Sequence, residues 1–158
     1  GRGFLIYDMG RVQVASSISW ASSIWNRSTI PSIPRTAFLL RLAENYFVDL
    51  HAEATGEKKS IAYHLDGRVS AVVGTHTHVQ TADEQILPNG TAYLSDLGMT
   101  GPIHSVLGVK PELTIEKMRR HLPVRFELGT DPCEMDCALI CVDDKTGRSL
   151  SIERIRIK

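Results

Sequence analysis

The sequence lacks an excess of either charge, a long apolar run and an even number of cysteines, and each absence narrows the class of protein. Its 18 basic residues balance 18 acidic ones, so no overall charge attracts nucleic acid or an anionic membrane surface. No apolar run approaches the roughly 20 residues of a membrane span, and no signal-peptide pattern opens the chain. We therefore expect a cytoplasmic globular protein without a membrane partner.

The three cysteines, Cys133, Cys137 and Cys141, are spaced by four residues. This spacing puts them on one face of either a helix or a strand, and on a helix it would suggest metal binding. The apolar run over residues 138–142 favours a strand. We interpret the cysteines as small core residues in a reducing cytosol rather than as zinc ligands or disulfides.

Two apolar runs end in histidines. Residues 47–51 close on His51, and residues 69–78 close on His76 and His78. Side chains alternate along a strand, which predicts that His76 and His78 point the same way. Strand ends are where open α/β sheets hold ligands, and imidazole is the commonest metal-binding side chain, so the pattern indicates a three-histidine metal site. The alternative is that each histidine is an ordinary polar residue at a strand end.

Three neutral imidazoles would leave a pair of divalent metal ions under-neutralised, so acids are expected nearby. Asp49 lies two residues before His51 and shares its strand face, Glu53 follows the strand, and Asp96 follows a later one. Each is a candidate to bind a metal or to orient a ligand imidazole through a hydrogen bond.

Periodicity and turn signals predict alternating strands and helices. A turn at Gly10 predicts a hairpin between residues 4–7 and 11–15. Thr55 is placed to cap a helix over residues 55–65, and the strands on either side of it predict a parallel βαβ unit with a right-handed crossover. The other predicted elements are helices over residues 36–45 and 111–121 and strands over residues 69–73, 91–95, 124–128, 135–142 and 150–157.

The most specific signal is a set of long stretches at residues 47–55, 66–83, 90–93, 96–102 and 152–155, including Val-Gly-Thr-His-Thr-His-Val-Gln-Thr-Ala-Asp. These stretches resemble the YmdB-like branch of the calcineurin-type metallophosphoesterases. The resemblance implies the C-terminal part of a layered α/β/β/α sandwich, an α/β fold with a mixed sheet. It also implies a dinuclear centre of manganese, iron or zinc and hydrolysis of phosphodiesters, including 2′,3′-cyclic nucleotides.

Under this resemblance, His51 and His76 match ligands of one metal and His78 a ligand of the other. The family's N-terminal half supplies the remaining ligands and a histidine that acts on the leaving group. That half has no counterpart in this sequence, so no catalytic residue is assigned.

Residues 16–35 depart from the family pattern and from both helical and strand periods. Codons for residues 16–32 can be chosen so that reading one base earlier gives a family-like strand and loop. We therefore interpret residues 1–158 as one partial domain in which residues 16–35 form an aberrant, frame-shifted loop.

Three interpretations of the whole chain stay open. It is a fragment of a metal-dependent phosphodiesterase, an inactive remnant that binds metal weakly and docks as a homo-oligomer, or an interaction domain whose histidines bind no metal.

Overall fold

The computed structural model describes residues 4–8, 10, 13–20, 45–130 and 132–158. Their strands are β1 (Phe4–Asp8), β2 (Gln13–Trp20), β3 (Asn45–His51), β4 (Ala71–Thr75), β5 (Gln85–Ile86), β6 (Ala92–Leu94), β7 (Thr100–Pro102), β8 (Cys133–Val142) and β9 (Ser149–Ile157). Their helices are α1 (Thr55–Leu65) and α2 (Pro111–Arg120). The strands form a six-stranded sheet in the order β1-β2-β3-β4-β6-β5 and a three-stranded sheet in the order β7-β8-β9. The α/β class with a mixed sheet is confirmed.

The six-stranded sheet is parallel at its centre and antiparallel at both edges. Strands β2, β3, β4 and β6 pair in parallel, while β1 and β5 pair antiparallel with their neighbours. The β1-β2 pair is the predicted hairpin, with Gly10 at a positive φ of 83° in its turn. Because β3 and β4 are parallel, both end at the same edge of the sheet. His51 and Thr75, their last residues, lie side by side there.

Helix α1 connects β3 to β4 and covers the sheet with its apolar face. Ile61, Ala62 and Leu65 are buried on this helix and join Val48 and Leu50 of β3 in the main hydrophobic cluster. Burying a large aliphatic side chain contributes about 1.5–3 kcal/mol. The apolar spacing that predicted a helix over residues 55–65 therefore also fixes the face that packs on the sheet.

The predicted cap of α1 is wrong. Ala54 occupies the N-cap position, and no side chain caps the helix. At the other end Asp66 is the C-cap, and Gly67 follows with a positive φ of 77°. The Asp66 carboxylate accepts hydrogen bonds from the Asn89 and Thr91 backbone N–H groups, so the residue after the helix ties it to the turn before β6.

The three-stranded sheet is antiparallel and is joined to the larger sheet by hydrogen bonds. The Ser149 hydroxyl donates to the Ser70 carbonyl over 2.8 Å, and Arg154 pairs with Glu84 at 2.7 Å. Strand β8 carries the three cysteines at intervals of roughly 13 Å, and this separation is too long for a disulfide. The strand predicted over residues 135–142 included Cys137 and Cys141, and the observed strand begins earlier, at Cys133. Cys133 and Cys141 are exposed, so the prediction that the cysteines are core residues is wrong for these two.

Several predicted boundaries differ from the structure. Strand β2 continues through residues 16–20 and pairs in parallel with β3, so the loop predicted over residues 16–35 cannot begin at residue 16. Of the helix predicted over residues 36–45, Asn45 belongs to β3 and the rest lies outside the described residues. The strand predicted over residues 124–128 is wrong, because only Leu128 bridges, to Val109.

Residues 104–128, which we call the outer segment, lie beside the core without contributing to it. Helix α2 has no buried residue. The segment closes mainly on itself, through the Lys110 N–H to the Glu127 carbonyl and the Lys117 ammonium over the Phe126 ring. Neither helix in the described part of the chain is long and apolar enough to cross a membrane.

Candidate metal site at the strand ends

The carboxyl ends of β3 and β4 hold His51, Thr75 and Asp49 in one chain of hydrogen bonds. His51 Nδ1 lies 3.1 Å from Thr75 Oγ1, and the Thr75 hydroxyl donates to Asp49 Oδ1 over 2.9 Å. Because the Thr75 proton goes to the carboxylate, we assign Nδ1 of His51 as the donor to Thr75 and Nε2 as the unprotonated nitrogen. This arrangement fixes the ring and the tautomer as it does for metal-binding histidines.

His76 follows β4 directly, and its ring approaches that of His51. The two ring centroids are 5.2 Å apart, with an angle of 51° between the planes. His51 is half-buried and His76 is exposed, so the pair faces solvent at the edge of the sheet. The structure therefore brings together two of the three imidazoles that the sequence predicted to converge.

The alternation argument for His76 and His78 is wrong. Strand β4 ends at Thr75, and the next residues bend, with positive φ angles of 137° at His76 and 62° at His78. The His78 side chain makes no hydrogen bond or ring contact with any other described residue. Within the described ranges, no three His, Cys, Asp or Glu side chains stand close enough together to hold a metal ion.

The donor chemistry at this edge fits part of a metal site. His51 and His76 offer two nitrogen donors, and the hydrogen bond at Nδ1 of His51 leaves Nε2 as its metal-binding atom. Zinc, iron and manganese sites take at least four ligands. His78 lies one residue beyond Thr77 on the same exposed loop, where a change of backbone angle would redirect its ring.

Asp96 is the group that ties this loop to the core. Its side chain is fully buried and forms an ion pair with Lys58 of α1 at 2.9 Å. The same carboxylate accepts the Thr77 N–H at Oδ2 over 2.9 Å and the Gly98 N–H at Oδ1 over 3.0 Å. The backbone of Asp96 also bonds Thr81 at both its N–H and its carbonyl. One residue thus holds the loop on both sides of His78.

The surroundings of Asp96 keep it ionised. Burial alone raises the pKa of Asp96, but the hydrogen bonds from Thr77, Lys58 and Gly98 outweigh burial and leave the pKa below its ordinary value. Hydrogen bonds to an ionised acceptor are roughly twice as strong as neutral ones. The charged carboxylate is therefore a strong anchor for the loop.

Gly74 allows helix α1 and the loop after β6 to approach β4 closely. A methyl group at Gly74 would overlap the Ser95 carbonyl oxygen and stand 2.9 Å from Cδ of Lys58. The Gly74 carbonyl accepts the Leu97 N–H over 2.8 Å. The absence of a side chain here lets Lys58 reach Asp96.

The three candidate acids take different places. Asp49 orients His51 through Thr75, and Asp96 holds the histidine loop through Thr77. Glu53 is exposed and makes no hydrogen bond or ion pair with the other described residues.

Two residues of this arrangement were not singled out from the sequence. Thr75 could have been found once β3 and β4 were aligned in parallel, since the register places it opposite His51. Lys58 carries no comparable signal, because a lysine in a helix is usually solvent-exposed.

Comparison with known proteins agrees with this architecture. The family model described as YmdB-like protein matches residues 1–155. The chain belongs to the YmdB-like family. It is 51% identical over 111 residues to the 2′,3′-cyclic-nucleotide 2′-phosphodiesterase of Bacillus subtilis (strain 168), a match that covers 70% of this chain and 42% of that protein.

Two solved structures share the fold. A novel phosphatase from Mycoplasma pneumoniae and a hypothetical protein from Thermus thermophilus each superpose with a TM-score of 0.84 at 31% identity over 98% of this chain. The matches cover 57% and 61% of those chains. The chain thus spans about half the length of the relatives that it matches, as the 42% and 57% coverage of its curated relatives also indicates.

Proposed function

We propose that this chain forms one wall of the active site of a metal-dependent phosphodiesterase. The observation that carries the proposal is the meeting of His51 and His76 at the ends of β3 and β4, with the His51 ring fixed by Thr75 and Asp49. The membership of the YmdB-like family and the name of the Bacillus subtilis relative support a phosphodiester substrate, and 2′,3′-cyclic nucleotides are the first to test.

His51 and His76 would hold one metal ion, and His78 would join a second after its loop adjusts. Manganese, iron and zinc are the candidate metals. When bound, such ions polarise the phosphoryl oxygens and lower the pKa of water. The chain itself contributes orientation: Asp49 and Thr75 hold the His51 tautomer, and Asp96 holds the loop that carries His76 and His78.

A second candidate function is metal binding without turnover. It is favoured by the finding that the described residues assemble no group of three metal-binding side chains. A phosphodiesterase would then require ligands from outside the described residues. The location proposed for either function is the cytoplasm, where the cysteines of β8 would be kept as thiols.

Metal titration tests the histidine site that both functions require. We expect the chain to bind Mn²⁺ or Zn²⁺ and His51→Ala and His76→Ala to weaken binding at least about 10-fold. His104→Ala, at an exposed histidine of the outer segment, is the matched control and should bind as the unmodified chain does. Unchanged affinity in both site variants would refute the histidine site.

Hydrolysis of bis(p-nitrophenyl) phosphate and of 2′,3′-cyclic AMP is measured on the same four proteins. Turnover that falls at least about 100-fold in His51→Ala and His76→Ala, but not in His104→Ala, supports the phosphodiesterase. Metal binding without turnover in the unmodified chain supports the second function.

A further inference from the structure

We propose that Lys58 and Asp96 form a buried positioning pair that holds the loop of His76 and His78 at the sheet edge, where His76 meets His51. The inference rests on the proposed function for the role of the histidines. The contacts that define the pair are independent of that function. Lys58 lies on α1 and bonds the Asp96 carboxylate, so it would act on the loop through Asp96.

The backbone conformation of the loop has a free-energy cost. His76 and His78 both have positive φ angles, which cost a residue with a side chain about 1–3 kcal/mol each. Such conformations persist only where the surrounding structure imposes them. One restraint on this loop is the bond from the Thr77 N–H, between the two histidines, to Oδ2 of Asp96.

The same carboxylate oxygen of Asp96 bonds both the loop and the lysine. Oδ2 of Asp96 accepts the Thr77 N–H and the Lys58 ammonium, each over 2.9 Å. Removing the ammonium would leave a buried carboxylate without its counter-charge, and burial favours the neutral acid. A neutral Asp96 would accept the Thr77 N–H only weakly. The lysine therefore sets the strength of the loop's anchor.

A gain in stability alone does not account for the buried ion pair. The Lys58 and Asp96 side chains are 2% and 0% exposed, and a buried ion pair is often no more stabilising than apolar residues of similar volume. The main effect of the pair is therefore to hold the exposed histidine loop in a single conformation. The bonds from Thr81 to the Asp96 backbone close the far side of the same loop.

The test uses the full chain and a double variant, Lys58→Met with Asp96→Asn, which removes both charges while keeping both volumes. Removing both partners avoids the unpaired buried charge that makes a single substitution unfold a protein. The matched control is Lys110→Met with Glu127→Gln, which removes a pair whose side chains are 34% and 61% exposed. Folding of each variant is checked by circular dichroism and thermal unfolding.

The first readout is hydrogen exchange at the Thr77 amide without metal. We expect exchange at least about 10-fold faster in the Lys58/Asp96 variant and unchanged in the control, since a neutral amide oxygen accepts the Thr77 N–H more weakly than a carboxylate does and protects it less. The second is Mn²⁺ affinity, expected to fall about 10–100-fold in the Lys58/Asp96 variant alone, as for other residues that orient metal ligands.

Unchanged exchange at Thr77 in a folded Lys58/Asp96 variant would overturn the proposal. So would faster exchange with unchanged Mn²⁺ affinity, because the loop's shape would then not matter to the ligands. If the unmodified chain binds no Mn²⁺, the proposed function fails, and the Thr77 exchange alone decides whether the pair fixes the loop.

Discussion

The sheet edge that carries the histidines and the outer segment use similar residue types with opposite results. Helix α1 buries Ile61 and a lysine completely, whereas Ile115 and Met118 of α2 are 54% and 73% exposed. Both regions contain a lysine paired with a carboxylate, but the Lys58 pair is buried and the Lys110 pair is exposed to solvent. The burial of each group, rather than its type, decides how much it contributes.

This difference indicates which substitutions should disturb the candidate site. His76 and His78 are exposed, but the loop that carries them is bonded to Asp96, which is buried with Lys58 against Gly74. The outer segment has no such connection to the histidines among the described contacts. Matched substitutions in the two regions should therefore separate sharply.

The largest difference in unfolding free energy is expected between substitutions at two glycines. Gly74→Ala places a methyl group into the Ser95 carbonyl, and we expect a loss of more than about 4 kcal/mol in unfolding free energy. Gly108→Ala, in the outer segment, meets no atom within 4 Å but keeps a positive φ of 91°, so about 1 kcal/mol is expected. Urea unfolding measures both. Equal losses would show that the clash at Gly74 is relieved by movement of the chain.

A smaller difference in unfolding free energy is expected between substitutions at two isoleucines. Ile61→Ala removes a fully buried side chain and should cost about 3 kcal/mol through lost burial and the cavity left behind. Ile115→Ala changes a mostly exposed position and should stay within about 0.5 kcal/mol. Thermal unfolding of the two variants, each compared with the unmodified chain, checks this. A loss at Ile115 as large as that at Ile61 would mean that α2 is covered in solution.

The local fold was predictable wherever one signal dominated. The apolar spacing of α1, the apolar runs that precede the histidines and the turn at Gly10 each predicted an element that the structure contains. The strand predicted over residues 124–128 failed because alternating apolar residues there find no neighbouring strand over their length. Side-chain pattern predicts a strand only where a partner supplies backbone hydrogen bonds.

The site was predictable in part. His51 and Asp49 followed from strand alternation, and parallel pairing brought His76 to them. The bend at His76 and His78 could not follow from the same rule, because the Thr77 N–H between them bonds the Asp96 carboxylate, 19 residues further along the chain. That contact depends on Lys58 and Gly74, which come from other elements. Long-range polar contacts of this kind have no local sequence signal.

The smallest difference is expected in the pH dependence of stability, between substitutions at two carboxylates that differ in burial. Asp96 and Glu127 both have a pKa below their ordinary values of 3.8 and 4.5: for Asp96 hydrogen bonds outweigh burial, and for Glu127 the cause is the hydrogen bond from Lys110. A carboxylate with a lowered folded-state pKa stabilises above its unfolded pKa, and this contribution is lost as the pH falls through the folded pKa. Stability should thus fall on acidification below about pH 4.

The double variant Lys58→Met with Asp96→Asn should flatten this acid dependence, since the carboxyl that titrates differently on folding is gone and no buried ammonium is left without a counter-charge. Glu127→Gln should leave the dependence close to that of the unmodified chain, because its ion pair is exposed and screened at about 1 M salt. Urea midpoints measured from about pH 6 to about pH 3 in low and high salt compare the slopes rather than the absolute stabilities. A larger flattening in Glu127→Gln would place the acid-sensitive contact in the outer segment and remove the argument that burial, rather than the presence of an ion pair, separates the two regions.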